Sequence, residues 1–161
     1  MPIDARWLVK DHVAYHKYMG RITLDECIYA AELSLRMMSA SEHPIHVLID
    51  CGDIQSFPKQ MTPLVKAVNR CHVHPNMGWV ISYQIKNNFV RTLSKIIIFT
   101  AQAKHSIVDN YTDAIVQLQQ VVPNLPDLST IEPSELPTFC HIEGDQMDLS
   151  PPQIETYMQT L

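Results

Sequence analysis

The chain has 161 residues, of which 46% are hydrophobic and 18% charged, and it carries a formal net charge of −5 at pH 7. This length predicts one domain with a full hydrophobic core, and the acidic balance argues against a nucleic-acid partner. Because no apolar run reaches membrane-spanning length and the first residues lack a signal-peptide core, we expect a cytoplasmic protein without a membrane span. The four cysteines lie far apart, which predicts free thiols in a reducing compartment.

Two short extended runs, at residues 6–9 and 13–19, predict a β-hairpin at the start of the chain. Neither face of the second run is cleanly apolar, so we expect the hairpin near an edge of the sheet. Thr23 and Glu26 then have the spacing of a capping box, which predicts the start of a helix that runs to about Ser41. The apolar stripe of this helix is expected to comprise Leu24, Cys27, Ile28, Ala31, Leu35 and Met38.

Residues 44–58 contain the segment around which the rest of the chain is organised. A short, mostly β-branched apolar run between turn residues is typical of a central strand buried on both faces. Here that run is formed by Ile45, Val47, Leu48 and Ile49, and a turn is expected after it at residues 50–53. Helices and strands then alternate, with helices expected at residues 62–71, 89–104 and 112–121 and strands at residues 79–83 and 105–108. The predicted fold class is α/β, with an open mixed sheet, flanking helices and the order β-β-α-β-α-β-α-β-α.

The composition changes beyond the last predicted helix. Six of the eleven prolines lie in residues 122–152, among acidic and polar residues. We therefore divide the chain into a domain at residues 1–121 and a Pro-rich, acidic C-terminal extension at residues 122–161. Short apolar pieces of this extension, at residues 139–142 and 157–161, are expected to dock on the domain or on a neighbouring subunit.

Three motifs give the chain a resemblance to a known family. Residues 20–26 (GRITLDE) resemble the Gly-x-h-Thr-x-Glu-Glu motif, h being apolar, that begins the first helix in the bacterial SpoIIAA-like group of STAS/SEC14-like domains. Residues 44–50 (PIHVLID) with residues 56–58 (SFP) resemble that group's central strand and its exit, and residues 74–80 (HPNMGWV) resemble the start of the next strand. The resemblance covers roughly residues 5–121. It implies the SpoIIAA-like (STAS) fold and a homodimer, and it implies no reaction.

Polar residues near the carboxyl end of the central strand form the candidate site for a ligand or partner. Open α/β sheets bind ligands at this end, and two carboxylates there suit a cation or acid–base chemistry. In the favoured alternative, Asp50 and Asp53 have a structural role: they accept hydrogen bonds from backbone N–H groups of a turn around Gly52. The full candidate loop comprises Asp50, Asp53, Ser56, Lys59, Tyr83, Asn87 and Asn88.

Other chemistry is not expected from this sequence. Cys71, His72 and His74 are spaced like metal ligands, but no second ligand pair follows, so we predict no metal site. The phospho-regulated relatives implied by the resemblance carry a serine at the start of the second helix, whereas Ser56 lies too early here. We predict no catalytic residue and no cofactor.

The third helix carries more apolar residues than one face of a sheet would bury. These residues are Phe89, Val90, Leu93, Ile96, Ile97, Ile98 and Phe99. A surplus apolar face predicts a partner subunit or a lipid-like ligand. We expect a homodimer interface formed by Phe89, Leu93, Ile96 and Ile97.

Three hypotheses for the function follow. The first is a non-enzymatic, homodimeric STAS-like interaction or regulatory module with an unidentified protein partner. The second is a carrier of a small apolar or lipid-like ligand in a pocket between the sheet and the third helix. The third is an enzyme that uses Asp50, Asp53 and Lys59.

Overall fold

The computed structural model describes residues 2–101 and 104–149, apart from the side chains at positions 97, 98, 100 and 101. The described residues form an α/β fold with four helices and one mixed sheet of seven strands. In chain order the elements are β1 (Ile3–Val9), β2 (Val13–Arg21), α1 (Leu24–Ser39), β3 (Ile45–Ser56), α2 (Met61–His72), β4 (Met77–Tyr83), α3 (Asn88–Ala101), β5 (His105–Val108), α4 (Tyr111–Val121), a short 3-10 turn (Pro133–Glu135), β6 (Thr138–Glu143) and β7 (Gln146–Leu149). The first nine elements follow the order predicted from the sequence, and the 3-10 turn and two strands come after them.

The strands lie in the order β5-β4-β3-β2-β1-β6-β7. The pairs from β2 to β5 are parallel, and β1, β6 and β7 are joined by antiparallel pairs. The predicted edge position of the β1–β2 hairpin is therefore wrong, because β6 and β7 extend the sheet beyond β1. Both added strands come from the segment that the composition sets apart as an extension.

The sheet is buried on both faces. Helices α1, α2 and α3 cover one face, where Val47 belongs to the largest apolar cluster. Helix α4 and Leu128 cover the other face, where Leu48 and Ile81 are fully buried. The successive residues Val47 and Leu48 thus point to opposite faces, which confirms that β3 is buried on both sides.

The capping box at the start of α1 is confirmed. The Glu26 N–H donates to Thr23 Oγ1 at 3.3 Å, and the Thr23 N–H donates to Glu26 Oε2 at 2.8 Å. The predicted apolar stripe is only partly right, because Ile28 is 37% exposed whereas Ala30 and Leu33 are buried. The buried arc of the helix is therefore rotated from the one that the pattern suggests.

Strand β3 is longer than predicted and includes the expected turn. It pairs with β2 as far as the Ser56–Arg21 pair, with a shift of register opposite Lys17 to Met19. The Gly52 N–H donates to Asp50 Oδ1 at 2.9 Å within this irregular part. Residues 50–53 therefore bend the strand without ending it.

Candidate functional site

A cavity of about 150 Å³ lies between the sheet and helices α1, α2 and α3. Most of the side chains that line it are apolar, among them Val47 and Val80 from the sheet and Leu64 and Leu93 from the helices. Protein interiors are close-packed and contain few voids larger than a water molecule. A cavity of this size is therefore the feature of the structure that best suits a ligand.

The sheet contributes polar side chains to this cavity from three strands: His16 and Tyr18 from β2, Ser82 from β4 and His105 from β5. His16 pairs with Ile49, which in turn pairs with Ser82. Because neighbouring strands lie about 4.8 Å apart, the backbones at His16 and Ser82 are separated by about 10 Å. Ser82 Oγ is hydrogen-bonded to His105 Nε2 at 3.0 Å.

Three histidine nitrogens around the cavity have no hydrogen-bond partner among the described residues, namely His16 Nε2, His72 Nδ1 and His105 Nδ1. Burial lowers the pKa of His16 from 6.5 to about 4. Burial, with a smaller effect of His72, also lowers the pKa of His105 to about 4, and burial lowers the pKa of His72 itself. The three rings are therefore neutral at pH 7.

The described residues that line the cavity carry no formal charge at neutral pH, since none of them is Asp, Glu, Lys or Arg and the three histidines are neutral. Burial raises the pKa of the lining thiols Cys27, Cys51 and Cys71 to about 12, so these side chains remain protonated and are poor nucleophiles. This environment suits an uncharged molecule.

The motif around Cys71 and His72 does not form a metal site in the described part of the chain, where no group of three or more His, Cys, Asp or Glu residues could hold a metal ion. The Cys71 thiol instead donates to the Ala31 carbonyl at 3.3 Å. His74 Nδ1 accepts from the Asn76 N–H at 3.0 Å. These residues thus stabilise the junction between α1, α2 and the turn that follows.

The structure brings together two residues of the predicted loop, Asp50 and Tyr83, through Tyr15. The Tyr15 hydroxyl donates to Asp50 Oδ2 at 2.9 Å, and the Tyr83 hydroxyl donates to the Tyr15 oxygen at 3.5 Å. Both tyrosines belong to the apolar cluster beneath α4, on the face opposite the cavity. Their pKa values are raised chiefly by burial, which keeps both hydroxyls protonated.

Asp53, the other carboxylate of the candidate loop, forms an ion pair with Lys17, whose Nζ lies 3.0 Å from Asp53 Oδ2. Asp50 accepts a hydrogen bond from the Gly52 N–H. This is the structural role that the turn around Gly52 predicts for Asp50. Asp50 and Asp53 thus share no partner in the described part of the molecule.

The remaining predicted loop residues are spread along the chain. Ser56 and Lys59 are exposed, between the end of β3 and the start of α2. Asn87 caps α3, since its Oδ1 accepts from the Phe89 N–H at 2.8 Å and from the Val90 N–H at 3.3 Å. Asn88 is the first residue of α3 and is exposed.

The predicted dimer residues have different environments. Leu93 is 3% exposed and lines the cavity, so it packs inside its own chain. Phe89 is half-buried against the same core, whereas Ile96 is 38% exposed. The Ile97 side chain lies outside the described residues. Part of the apolar surplus of α3 thus forms a wall of the cavity.

Sequence reasoning missed the polar residues of the cavity. It placed the hairpin that contains His16 near a sheet edge and assigned no role to His16 or Ser82. The available signal was the presence of these polar residues inside short apolar strands. That signal becomes informative only when the neighbouring strands are known.

Comparison with known proteins does not assign the chain to a family. No protein-family model matches it, and no curated protein is significantly similar to it. The resemblance to the SpoIIAA-like group therefore rests on the sequence motifs. Among the described residues, no helix combines the length and the apolar character needed to cross a membrane.

Proposed function

We propose that this protein binds one small, uncharged and mostly apolar molecule between the sheet and helices α1, α2 and α3, as a carrier or sensor. The supporting observation is the cavity of about 150 Å³ with apolar walls and no charged lining residue among those described. An apolar cavity of about this volume accommodates one benzene-sized ring. Its position next to α3 is the position that the carrier hypothesis assigns to the ligand.

The energetics of an unfilled cavity support the same proposal. An enclosed void left by deleting a core side chain costs about 24 cal/mol per Å³, so roughly 3–4 kcal/mol is the upper limit for an empty cavity of about 150 Å³. Whole domains are stable by only about 5–15 kcal/mol. A ligand that fills this space would restore a substantial part of that loss through dispersion contacts.

The enzyme hypothesis has less support. Asp50 and Asp53 interact with different partners, and the Asp50 carboxylate bonds to Tyr15 on the α4 side of the sheet. Lys59 is exposed in the segment before α2. None of the three lines the cavity.

The proposal is tested with toluene as a probe. We expect the melting temperature of the purified chain to rise with toluene concentration, because a ligand that binds only the folded state stabilises it. Ala30 is buried and lines the cavity, so Ala30→Leu should fill it and abolish the shift. Ala40→Leu makes the same change outside the cavity and should keep the shift. The absence of any toluene binding to the wild-type chain would contradict the proposal.

We propose the homodimeric STAS-like interaction module as a second function. It is supported by the order of the first nine elements and by Phe99, which is 86% exposed on α3. Light scattering after size exclusion should give the mass of a dimer at micromolar concentration, and Phe99→Ser should shift the chain toward the monomer. A wild-type monomer under these conditions would contradict this second function.

A further inference from the structure

The polar side chains around the cavity differ in whether the protein satisfies them. Ser82 and His105 bond to one another, and the Ser94 hydroxyl donates to the Val90 carbonyl at 2.9 Å. Ser34 likewise donates to the carbonyl four residues before it. Three histidine nitrogens have no partner among the described residues, namely His16 Nε2, His72 Nδ1 and His105 Nδ1. Of these three side chains His16 is the fully buried one, at 2% exposed, whereas His72 and His105 are half-buried.

The surroundings of His16 explain why the protein offers it no partner. His16 lies on β2, in the middle of the seven-strand order, with β1 and β3 on either side. Its cross-strand neighbours are Ala5 and Ile49, which are apolar. A buried polar nitrogen without a hydrogen bond destabilises the fold, so an apolar residue would serve better here if packing were its only role.

We propose that the ligand carries one hydroxyl group, which hydrogen-bonds to the imidazole ring of His16 inside the cavity. The ligand class is then a small neutral alcohol or phenol with an apolar body. This inference rests on the function proposed above. A hydroxyl both donates and accepts, so it can pair with either neutral form of the imidazole ring. A charged head group would find no counter-charge, because no Asp, Glu, Lys or Arg is among the described lining residues.

The second polar group of the sheet does not compete for the same hydroxyl. The backbone of Ser82 lies two strand spacings from that of His16, which is about 10 Å. Ser82 Oγ is already bonded to His105 Nε2. Of the described polar side chains that line the cavity, His16 is the least exposed and has a nitrogen without a partner, so we assign the hydroxyl of the ligand to it.

Phenol and toluene are matched probes, since they differ only by a hydroxyl in place of a methyl group. Titration calorimetry at pH 7 should show that wild-type chain binds phenol at least as tightly as toluene. His16→Leu should weaken phenol binding about tenfold, which is typical of a lost buried hydrogen bond, and should leave toluene binding equal or stronger. His16→Gln keeps a hydrogen-bonding group and should retain most of the phenol affinity.

Ser94→Ala is the control, because Ser94 lines the cavity but its hydroxyl is used by its own helix. It should not change the ratio of the two affinities.

If toluene binds and phenol binds much more weakly to wild-type chain, the hydroxyl assignment is overturned while the ligand site stands. A nitrogen already satisfied by a buried water would give that result. If neither probe binds, both proposals fail. If His16→Leu does not fold, the hydroxyl assignment is tested by the ratio of phenol to toluene affinity in the wild-type chain and in His16→Gln.

Discussion

The Glu26 carboxylate joins the start of α1 to the turn between β6 and β7. The Gly144 N–H donates to Glu26 Oε1 at 2.7 Å, and the Thr23 N–H donates to Oε2 at 2.8 Å. Glu26 is only 3% exposed. Hydrogen bonds to an ionised carboxylate are stronger than those between neutral groups, and they compensate for its burial. One side chain thus completes the capping box and also holds the C-terminal strands against the domain.

We predict that Glu26→Gln lowers the free energy of unfolding by about 1–3 kcal/mol, because an amide accepts through one oxygen and leaves one of the two N–H groups unpaired. Urea denaturation measures this change. Asp25→Asn is the control, since Asp25 is exposed in the same helical turn, and it should change the stability by less than about 0.5 kcal/mol. Hydrogen exchange at the Gly144 amide should also accelerate in Glu26→Gln. Equal effects of the two substitutions would contradict a special role for Glu26.

The two halves of this contact show what the sequence can predict. Thr23 and Glu26 are three residues apart, and their spacing was sufficient to predict the capping box. Gly144 is 118 residues away from Glu26, and no local pattern connects them. Periodicity and caps thus predicted the order of the first nine elements, whereas long-range pairing could not be derived from them.

The cavity was unpredictable for the same reason. Residues 138–149 contain two short strands within a Pro-rich, acidic segment, and that composition hid the pairing of β6 with β1 and of β7 with β6. Without these strands, the sequence pattern places the β1–β2 hairpin near an edge of the sheet. His16 is in fact buried, because β1 and β3 flank it in the sheet and the helices α1, α2 and α3 cover this face.

We predict that stability falls as the pH is lowered from 6.5 to about 4, with a contribution from His16. Burial lowers the pKa of His16 from 6.5 to about 4, so in this range the unfolded chain binds a proton that the folded chain does not. The full effect of one such histidine is about 3 kcal/mol. Urea denaturation at several pH values should give a shallower pH dependence for His16→Leu than for the wild-type chain.

His141 provides a control of opposite sign. Its Nδ1 lies 2.6 Å from Asp4 Oδ1, and this hydrogen bond raises the pKa of His141. Its stabilising effect is complete below pH 6.5 and is lost as the pH rises through the raised pKa. His141→Asn should therefore change the slope of stability above pH 6.5 and leave the slope between about pH 5 and 6.5 as in the wild-type chain. Closer to pH 4 the substitution also acts through Glu143, because the hydrogen bond from His141 lowers the pKa of that carboxyl below 4.5. If His16→Leu leaves that lower range unchanged, His16 is not the buried neutral group described above.

We predict that Leu93→Ala lowers the free energy of unfolding by about 2–5 kcal/mol, because Leu93 is 3% exposed and packs in the largest core cluster. Phe99→Ser on the same helix should cost less than about 0.5 kcal/mol in the monomer, since Phe99 is 86% exposed. Denaturation at low protein concentration measures both. A small effect of Leu93→Ala would mean that Leu93 contributes to a partner surface and not to the core.

Gly78 in β4 lies against the neighbouring strand β3. A Cβ atom at Gly78 would lie 2.5 Å from His46 Nδ1 and 2.6 Å from the Ile45 carbonyl oxygen. His46 Nδ1 also accepts from the Trp79 N–H at 2.9 Å. Any side chain at position 78 would therefore push the two strands apart and disturb this hydrogen bond. The close approach explains why the motif at residues 74–80 contains a glycine.

We predict that Gly78→Ala lowers the free energy of unfolding by about 1–3 kcal/mol, the usual cost of overpacking a rigid site. Gly52→Ala is the matched control. A Cβ atom there would meet the end of the exposed Gln84 side chain, which can rotate away, and would lie 3.1 Å from Asp50 Oδ1, which must shift by a few tenths of an ångström. No backbone atom is among these contacts and replacing glycine also reduces the entropy of the unfolded chain, so Gly52→Ala should cost less than Gly78→Ala. Urea midpoints that are equal for both variants would show that β3 and β4 can separate at Gly78 without loss.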